Sequence, residues 1–149
     1  MKKQIVIGSD HAGFKMKQFL IGKLKEYGYD VEDKGSFNEE SVDASVYAIK
    51  VCEDVAENLK SKYGILICGT GIGMSMMANK VKGIRASLVS DLFSAEMTRA
   101  HNDANVLCMG ARIISEYMAW KFTKVWLETE HLGGKYAKRV QHMIDYELK

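Results

Sequence analysis

Five short runs rich in Ile, Val and Leu alternate along the chain with longer stretches whose apolar residues recur at helical spacing. Such alternation calls for parallel strands joined by helical crossovers, because each strand needs a long return path before the next can lie beside it. Gln4 to Gly8 reads as a strand, Phe14 to Tyr27 as a helix closed by Gly28, and Tyr29 to Asp33 as a second strand. From Asp43 to Lys60 the residues Ala48, Val51, Cys52, Val55, Ala56 and Leu59 define one apolar face, with Lys50, Glu53, Asp54 and Glu57 opposite. Tyr63 to Cys68 is continuously apolar, as befits a central strand covered on both sides, and leads through Gly69-Thr70-Gly71-Ile72-Gly73 to a helix from Met74 to about Val81. Ile84 to Ser90 and Asn105 to Met109 supply two more strands with a helix, Asp91 to Ala100, between them. Ser115 is placed to cap a helix running to about Glu130, and a Gly133-Gly134 break precedes a last helix. The predicted order β-α-β-α-β-α-β-α-β-α-α gives an α/β fold, a three-layer α-β-α sandwich around a five-stranded parallel sheet with right-handed crossovers.

The 149 residues, 47% hydrophobic and 27% charged, suit a single domain spanning 1–149 with one sizeable core. Thirteen glycines and no proline argue against collagen-like or polyproline segments. A formal net charge of +2 is too small to drive nonspecific nucleic-acid binding. Two lysines precede the first apolar run, but Ser9, Asp10 and His11 end it early, and no stretch approaches the roughly 18 apolar residues that span a bilayer. Three cysteines, Cys52, Cys68 and Cys108, without paired spacing fit a reducing compartment, so a cytoplasmic protein with no membrane or nucleic-acid partner is expected.

Ligands of such sheets bind beyond the carboxyl ends of the strands, where Ser9 to Gly13, Cys68 to Gly73 and Gly110 to Arg112 fall, and His101-Asn102-Asp103 is expected to join them at one edge. Cys68 ends a strand just before a glycine-rich turn into a helix, where unpaired N–H groups favour a thiolate able to act as base or nucleophile. The alternative is a small buried strand residue, which is how Cys52 and Cys108 read. Gly69 to Gly73 has the conformational freedom to aim amides at an anionic oxygen, although tight packing explains such a turn as well. It lacks both the Lys-Ser/Thr ending of a P-loop and the G-x-G-x-x-G fingerprint after the first strand. His101, beside Asn102 and Asp103, is a candidate acid or base, while His131 and His142 read as solvent-facing. No His or Cys pair has zinc-site spacing. Arg112, Lys135, Lys138 and Arg139 are the basic candidates for a phosphate or the solvated surface, with Arg112 the least comfortable on a plain surface.

Taken in order, Asp10-His11-Ala12-Gly13, Asp33-Lys34-Gly35, Ile67 to Gly73, Asn79-Lys80, Gly83-Ile84-Arg85-Ala86, His101 to Leu107 and Gly133-Gly134 closely resemble the type B ribose-5-phosphate isomerases, a family that includes galactose-6-phosphate isomerase subunits. The resemblance covers nearly the whole chain. It implies a Rossmann-like homodimer with shared active sites and no metal or nucleotide cofactor, with pairing into tetramers open. The implied reaction is aldose–ketose isomerisation of ribose 5-phosphate and ribulose 5-phosphate through an enediolate. By the same resemblance Cys68 is the base, His101 assists ring opening, and Thr70 with the amides of Gly69, Gly71, Ile72 and Gly73 holds the enediolate. Asp10, His11 and Asn102 line the sugar site. Arg112 binds the phosphate, with Lys135 and Arg139 reaching in from a partner on which the C-terminal helix, about 134–148, packs.

Two departures bear on the substrate. Family members commonly carry Tyr-Pro where this chain has Ala44-Ser45, and often an Arg-His pair where it has Lys135-Tyr136. Exchanging a forked guanidinium for a point charge alters phosphate recognition, so galactose 6-phosphate, allose 6-phosphate and a tetrose phosphate stand as alternative substrates. A reading from a different class is a non-catalytic nucleotide-binding or thiol redox-sensing module, though no resolving cysteine neighbours Cys68.

Overall fold

Alternating side chains along each strand feed two separate cores, as a sheet covered on both faces requires. The computed structural model describes residues 2–149. It contains β1 (Gln4–Ser9), α1 (Phe14–Glu26), β2 (Val31–Asp33), α2 (Ala44–Glu57), β3 (Lys62–Cys68), α3 (Ile72–Ala78), β4 (Ala86–Leu88), α4 (Leu92–Ala100), β5 (Val106–Gly110), α5 (Glu116–Glu128) and α6 (Gly134–Glu147). The sheet order is β2-β1-β3-β5-β4, every pair parallel. Ile5, Ile7, Ile65, Ile67, Leu107 and Met109 pack against α1 and α5, with Trp126 and Phe122 filling that layer. Val6, Leu66, Val106 and Cys108 face the other way, against α2 and α3. The expected three-layer architecture is therefore present.

The element boundaries differ where local hydrogen bonds compete with the periodic pattern. The second helix stops at Glu57 rather than Lys60, because the Asn58 side chain bonds back to the Asp54 carbonyl and carboxylate at 2.8 and 3.0 Å. Leu59, expected on the apolar face, lies past that stop and is exposed. The third helix begins at Ile72 rather than Met74 and ends at Ala78 rather than Val81. Ser115 caps α5 as expected, accepting from the Met118 amide at 3.2 Å.

One buried ion pair fixes the loop that follows β2. Lys17 on α1 is fully buried, and its ammonium meets both carboxylate oxygens of Asp33 at 2.7 Å. Asp33 also accepts from the Gly35 amide at 2.9 Å. Gly35 and Ser36 in turn exchange backbone hydrogen bonds with Ser9 at the end of β1. Leaving one partner of such a pair alone costs roughly 3–5 kcal/mol, so the pair holds this loop firmly in register with β1.

Candidate active site

The chain leaves β1 for β2 on one side and later returns to β3 on the other, which opens a crevice between the carboxyl ends of β1 and β3. Asp10 and His11 form one wall. The Asp10 carboxylate accepts from the Gly13 amide at 3.1 Å, closing the turn into α1. A Cβ on Gly13 would lie 2.5 Å from the Ile67 carbonyl oxygen, so only glycine lets this turn press so closely on β3. His11 Nδ1 accepts from the Val42 amide at 3.2 Å. A neutral His11 must therefore carry its proton on Nε2, leaving that nitrogen as a donor toward a ligand.

Cys68 forms the other wall. It ends β3 with 7% of its surface exposed, and the Gly71 amide donates to its Sγ at 3.1 Å. Gly71 takes φ +80°, a left-handed conformation that turns its N–H back toward the sulfur. The Thr70 hydroxyl accepts from the Ile72 amide at 3.2 Å. The amides of Gly73 and Met74, in the first turn of α3, have no intrahelical acceptor. The turn is clamped from β5: Ala111 donates to the Cys68 carbonyl and Arg112 to the Gly69 carbonyl, both at 2.9 Å. The Arg112 guanidinium lies over Gly69, where a Cβ would come within 3.2 Å of its Nη1. A thiol, a hydroxyl, backbone amides and the exposed Arg112 guanidinium are thus grouped at one edge.

His101 and Asn102 stand elsewhere, contrary to the expected convergence at one edge. A helix that follows a strand in a right-handed crossover runs back toward the amino ends of the strands, and His101 caps the far end of α4. Gly64 is in register with Val106 and Cys68 with Gly110. Those two levels are about 13 Å apart at the usual strand rise, with His101 beyond the lower one. Here the Leu132 amide donates to the Ala100 carbonyl at 3.0 Å, docking the start of α6 on α4. Gly133 and Gly134, at φ +70° and +53°, make the sharp turn into α6. Tyr136 then stacks on the His101 ring with centroids 4.1 Å apart and planes 6° from parallel. Lys135 Nζ and the Arg139 guanidinium lie 5.2 and 5.6 Å from the Tyr136 ring. The candidate residues of one chain therefore fall into two groups: Asp10, His11, Cys68 to Gly73 and Arg112 at the upper edge, and His101, Asn102, Lys135 and Arg139 at the lower.

Other candidates resolve into structural parts. Asp103, expected to support His101, is tied instead to Arg99 at 2.8 Å and Arg85 at 3.2 Å. His131 is half-buried rather than solvent-facing, with Nε2 shut away from solvent and unpartnered; His142 is exposed as expected. Among the described residues, no three His, Cys, Asp or Glu side chains are grouped to hold a metal ion. Sequence reasoning missed the Val42 amide, because a backbone donor leaves no residue-type signal. Tyr136 was visible only as a departure from the family pattern.

The three thiols are sharply distinguished by their surroundings. Burial pushes the Cys52 thiol up to about 12 and the Cys108 thiol well above the usual thiol range. Both side chains are fully enclosed, whereas Cys68 reaches the crevice. Iodoacetamide at pH 7.5 is therefore expected to add one carbamidomethyl group to the folded protein, at Cys68. Peptide mass mapping checks this, and modification of Cys52 or Cys108 at a comparable rate would contradict it.

The model of the Ribose/Galactose Isomerase family matches residues 5–143. The chain is 44% identical to a putative sugar phosphate isomerase of Bacillus subtilis over 98% of each chain. It is 42% identical to ribose-5-phosphate isomerase B of Escherichia coli over 99% of this chain and 98% of that one. Among solved structures, ribose-5-phosphate isomerase B of Mycoplasma genitalium with bound ribulose-5-phosphate superimposes with a TM-score of 0.96 at 36% identity, covering 100% of this chain and 99% of that one. The Clostridium thermocellum ribose-5-phosphate isomerase B gives 0.94 at 42% identity, covering 97% of each chain.

Proposed function

The chain belongs to the Ribose/Galactose Isomerase family, and from that membership we propose that it interconverts ribose 5-phosphate and ribulose 5-phosphate through an enediolate. It is an isomerase of sugar phosphates, which sets aside the nucleotide-binding and redox-sensing readings. The observation that carries the mechanism is Cys68 at the rim of the β1/β3 crevice, with a backbone donor on its sulfur and the Gly69 to Gly73 turn beside it.

In the open-chain aldose the Cys68 thiolate takes the proton from C2. The C–H electron pair becomes the C1–C2 double bond, and the C1 carbonyl oxygen becomes an oxyanion. The same thiol returns its proton to C1, the O2 proton passes to O1, and the ketose forms with the thiolate restored. An α-hydroxy C–H is a very weak acid, so the oxyanion needs donors already in place: the Thr70 hydroxyl and the amides of the turn supply them. Asp10 and His11, the latter donating from Nε2, hold the sugar hydroxyls.

Ring opening requires a proton donor or acceptor at the furanose oxygen, a role we assign to His101. Since His101 and Cys68 stand at opposite ends of one chain, the working site is assembled from two copies. One supplies Cys68 and Arg112; the other supplies His101, Asn102, Lys135 and Arg139. The exposed apolar residues Met143 and Tyr146 of α6, with Leu148 just past its end, suit that contact, so the C-terminal helix packs on a partner in a homodimer. A cytoplasmic location accords with the three free thiols.

A second substrate reading rests on the wall near His11. Ala44 and Ser45 follow Val42, whose amide holds the His11 ring, and they are smaller than the Tyr-Pro common at this place. A smaller wall leaves room for a longer sugar phosphate. Purified protein incubated with four-, five- and six-carbon aldose phosphates separates the readings. Conversion of ribose 5-phosphate to ribulose 5-phosphate with the highest kcat/KM is expected. A higher value on galactose or allose 6-phosphate would move the assignment to a hexose, and no turnover on any would overturn it.

A further inference from the structure

We propose that Tyr136 is the positioning residue for His101, holding its imidazole at the angle that ring opening requires; this rests on the ring-opening role assigned to His101 above. Acid–base histidines are ordinarily oriented by a hydrogen bond from the ring nitrogen not in use. Among the described residues neither His101 ring nitrogen has a hydrogen-bond partner within the chain. What meets the ring instead is a face: the parallel Tyr136 phenol, 4.1 Å away and 6° from coplanar. A face contact limits rotation about the last side-chain bond while leaving both nitrogens free, which suits a group that must take and return a proton.

The stack is built from both sides. The His101 backbone is fixed at the end of α4 by its amide bond to the Met97 carbonyl at 2.8 Å. Tyr136 is delivered by the Gly133-Gly134 turn after Leu132 has docked on Ala100. Lys135 and Arg139 flank the same phenol ring, so one aromatic plane sets the histidine on its face and lies among the two cations proposed to meet the phosphate. A movement of α6 would therefore disturb ring opening and phosphate binding together, and a change in Tyr136 alone should separate them.

The test compares two rates: conversion of cyclic ribose 5-phosphate, which needs ring opening, and solvent-deuterium exchange at C1 of open-chain ribulose 5-phosphate, which does not. Tyr136→Ala is expected to lower the first by roughly 10²-fold, the scale of a misplaced catalytic group, and to leave the second nearly unchanged. Tyr136→Phe, which keeps the ring, is expected to recover most of the first rate. In NMR spectra the His101 ring protons should lose the upfield shift caused by the stacked phenol in Tyr136→Ala and keep it in Tyr136→Phe. If His101→Ala shifts the ratio of the two rates but Tyr136→Ala changes only KM, the positioning role is overturned and the histidine's role stands. If His101→Ala leaves the ratio unchanged, ring opening lies elsewhere and both roles fall.

Discussion

Cys68→Ser is expected to abolish practical turnover, by roughly 10²- to 10⁴-fold or more, while leaving sugar-phosphate binding within a few-fold of the parent protein. A serine hydroxyl is far less acidic than a thiol, so almost none of it is ionised to take a carbon-bound proton at neutral pH. The fold has little reason to change. Cys68 differs from serine by one atom, it is the most exposed member of its buried core cluster, and the Gly71 amide still finds an acceptor. Turnover of ribose 5-phosphate and binding of a non-reactive pentitol phosphate, measured side by side, check the split. A variant that isomerises at close to the parent rate would place the base on another residue.

A mixture of two inactive variants is expected to regain activity. On the proposed two-copy site, Cys68→Ser lacks the base and His101→Ala lacks the ring-opening group, and either homodimer carries that defect in both sites. After subunit exchange at equal amounts, half the dimers are mixed, and each holds one intact site and one doubly defective site. Roughly a quarter of all sites should then work if pairing is random in a closed two-fold dimer. The activity of the mixture on ribose 5-phosphate, followed against time after mixing, is the measurement. Mixtures no more active than the separate variants would mean that Cys68 and His101 serve different sites, or that a chain folds them together in a way the strand register forbids.

The fold was largely legible because its signals are local. The Tyr63 to Cys68 run, apolar throughout, marks a strand covered on both faces, and within it Gly64 to Cys68 are buried. The helix over Ala44 to Glu57 declares its apolar stripe, although Asn58 ends it through a side-chain bond that periodicity does not register. The upper group was legible for a similar reason: Cys68 ends a strand, Asp10 and Arg112 come just after strands, and strand ends share one edge in a parallel sheet. His101 was misplaced by the same rule applied to a helix, since the end of α4 returns to the opposite edge. The bond from the Val42 amide to His11 and the closure of Lys17 over Asp33 depend on residues distant in sequence meeting in space.

The separation of Cys68 from His101 also has a bearing on how this chain behaves when scarce. On the two-copy site proposed above, a solitary copy keeps Cys68 with its turn but has no His101 beside it. Turnover of cyclic substrate is then expected to obey mass action: below the concentration at which copies associate, specific activity on ribose 5-phosphate should fall with dilution.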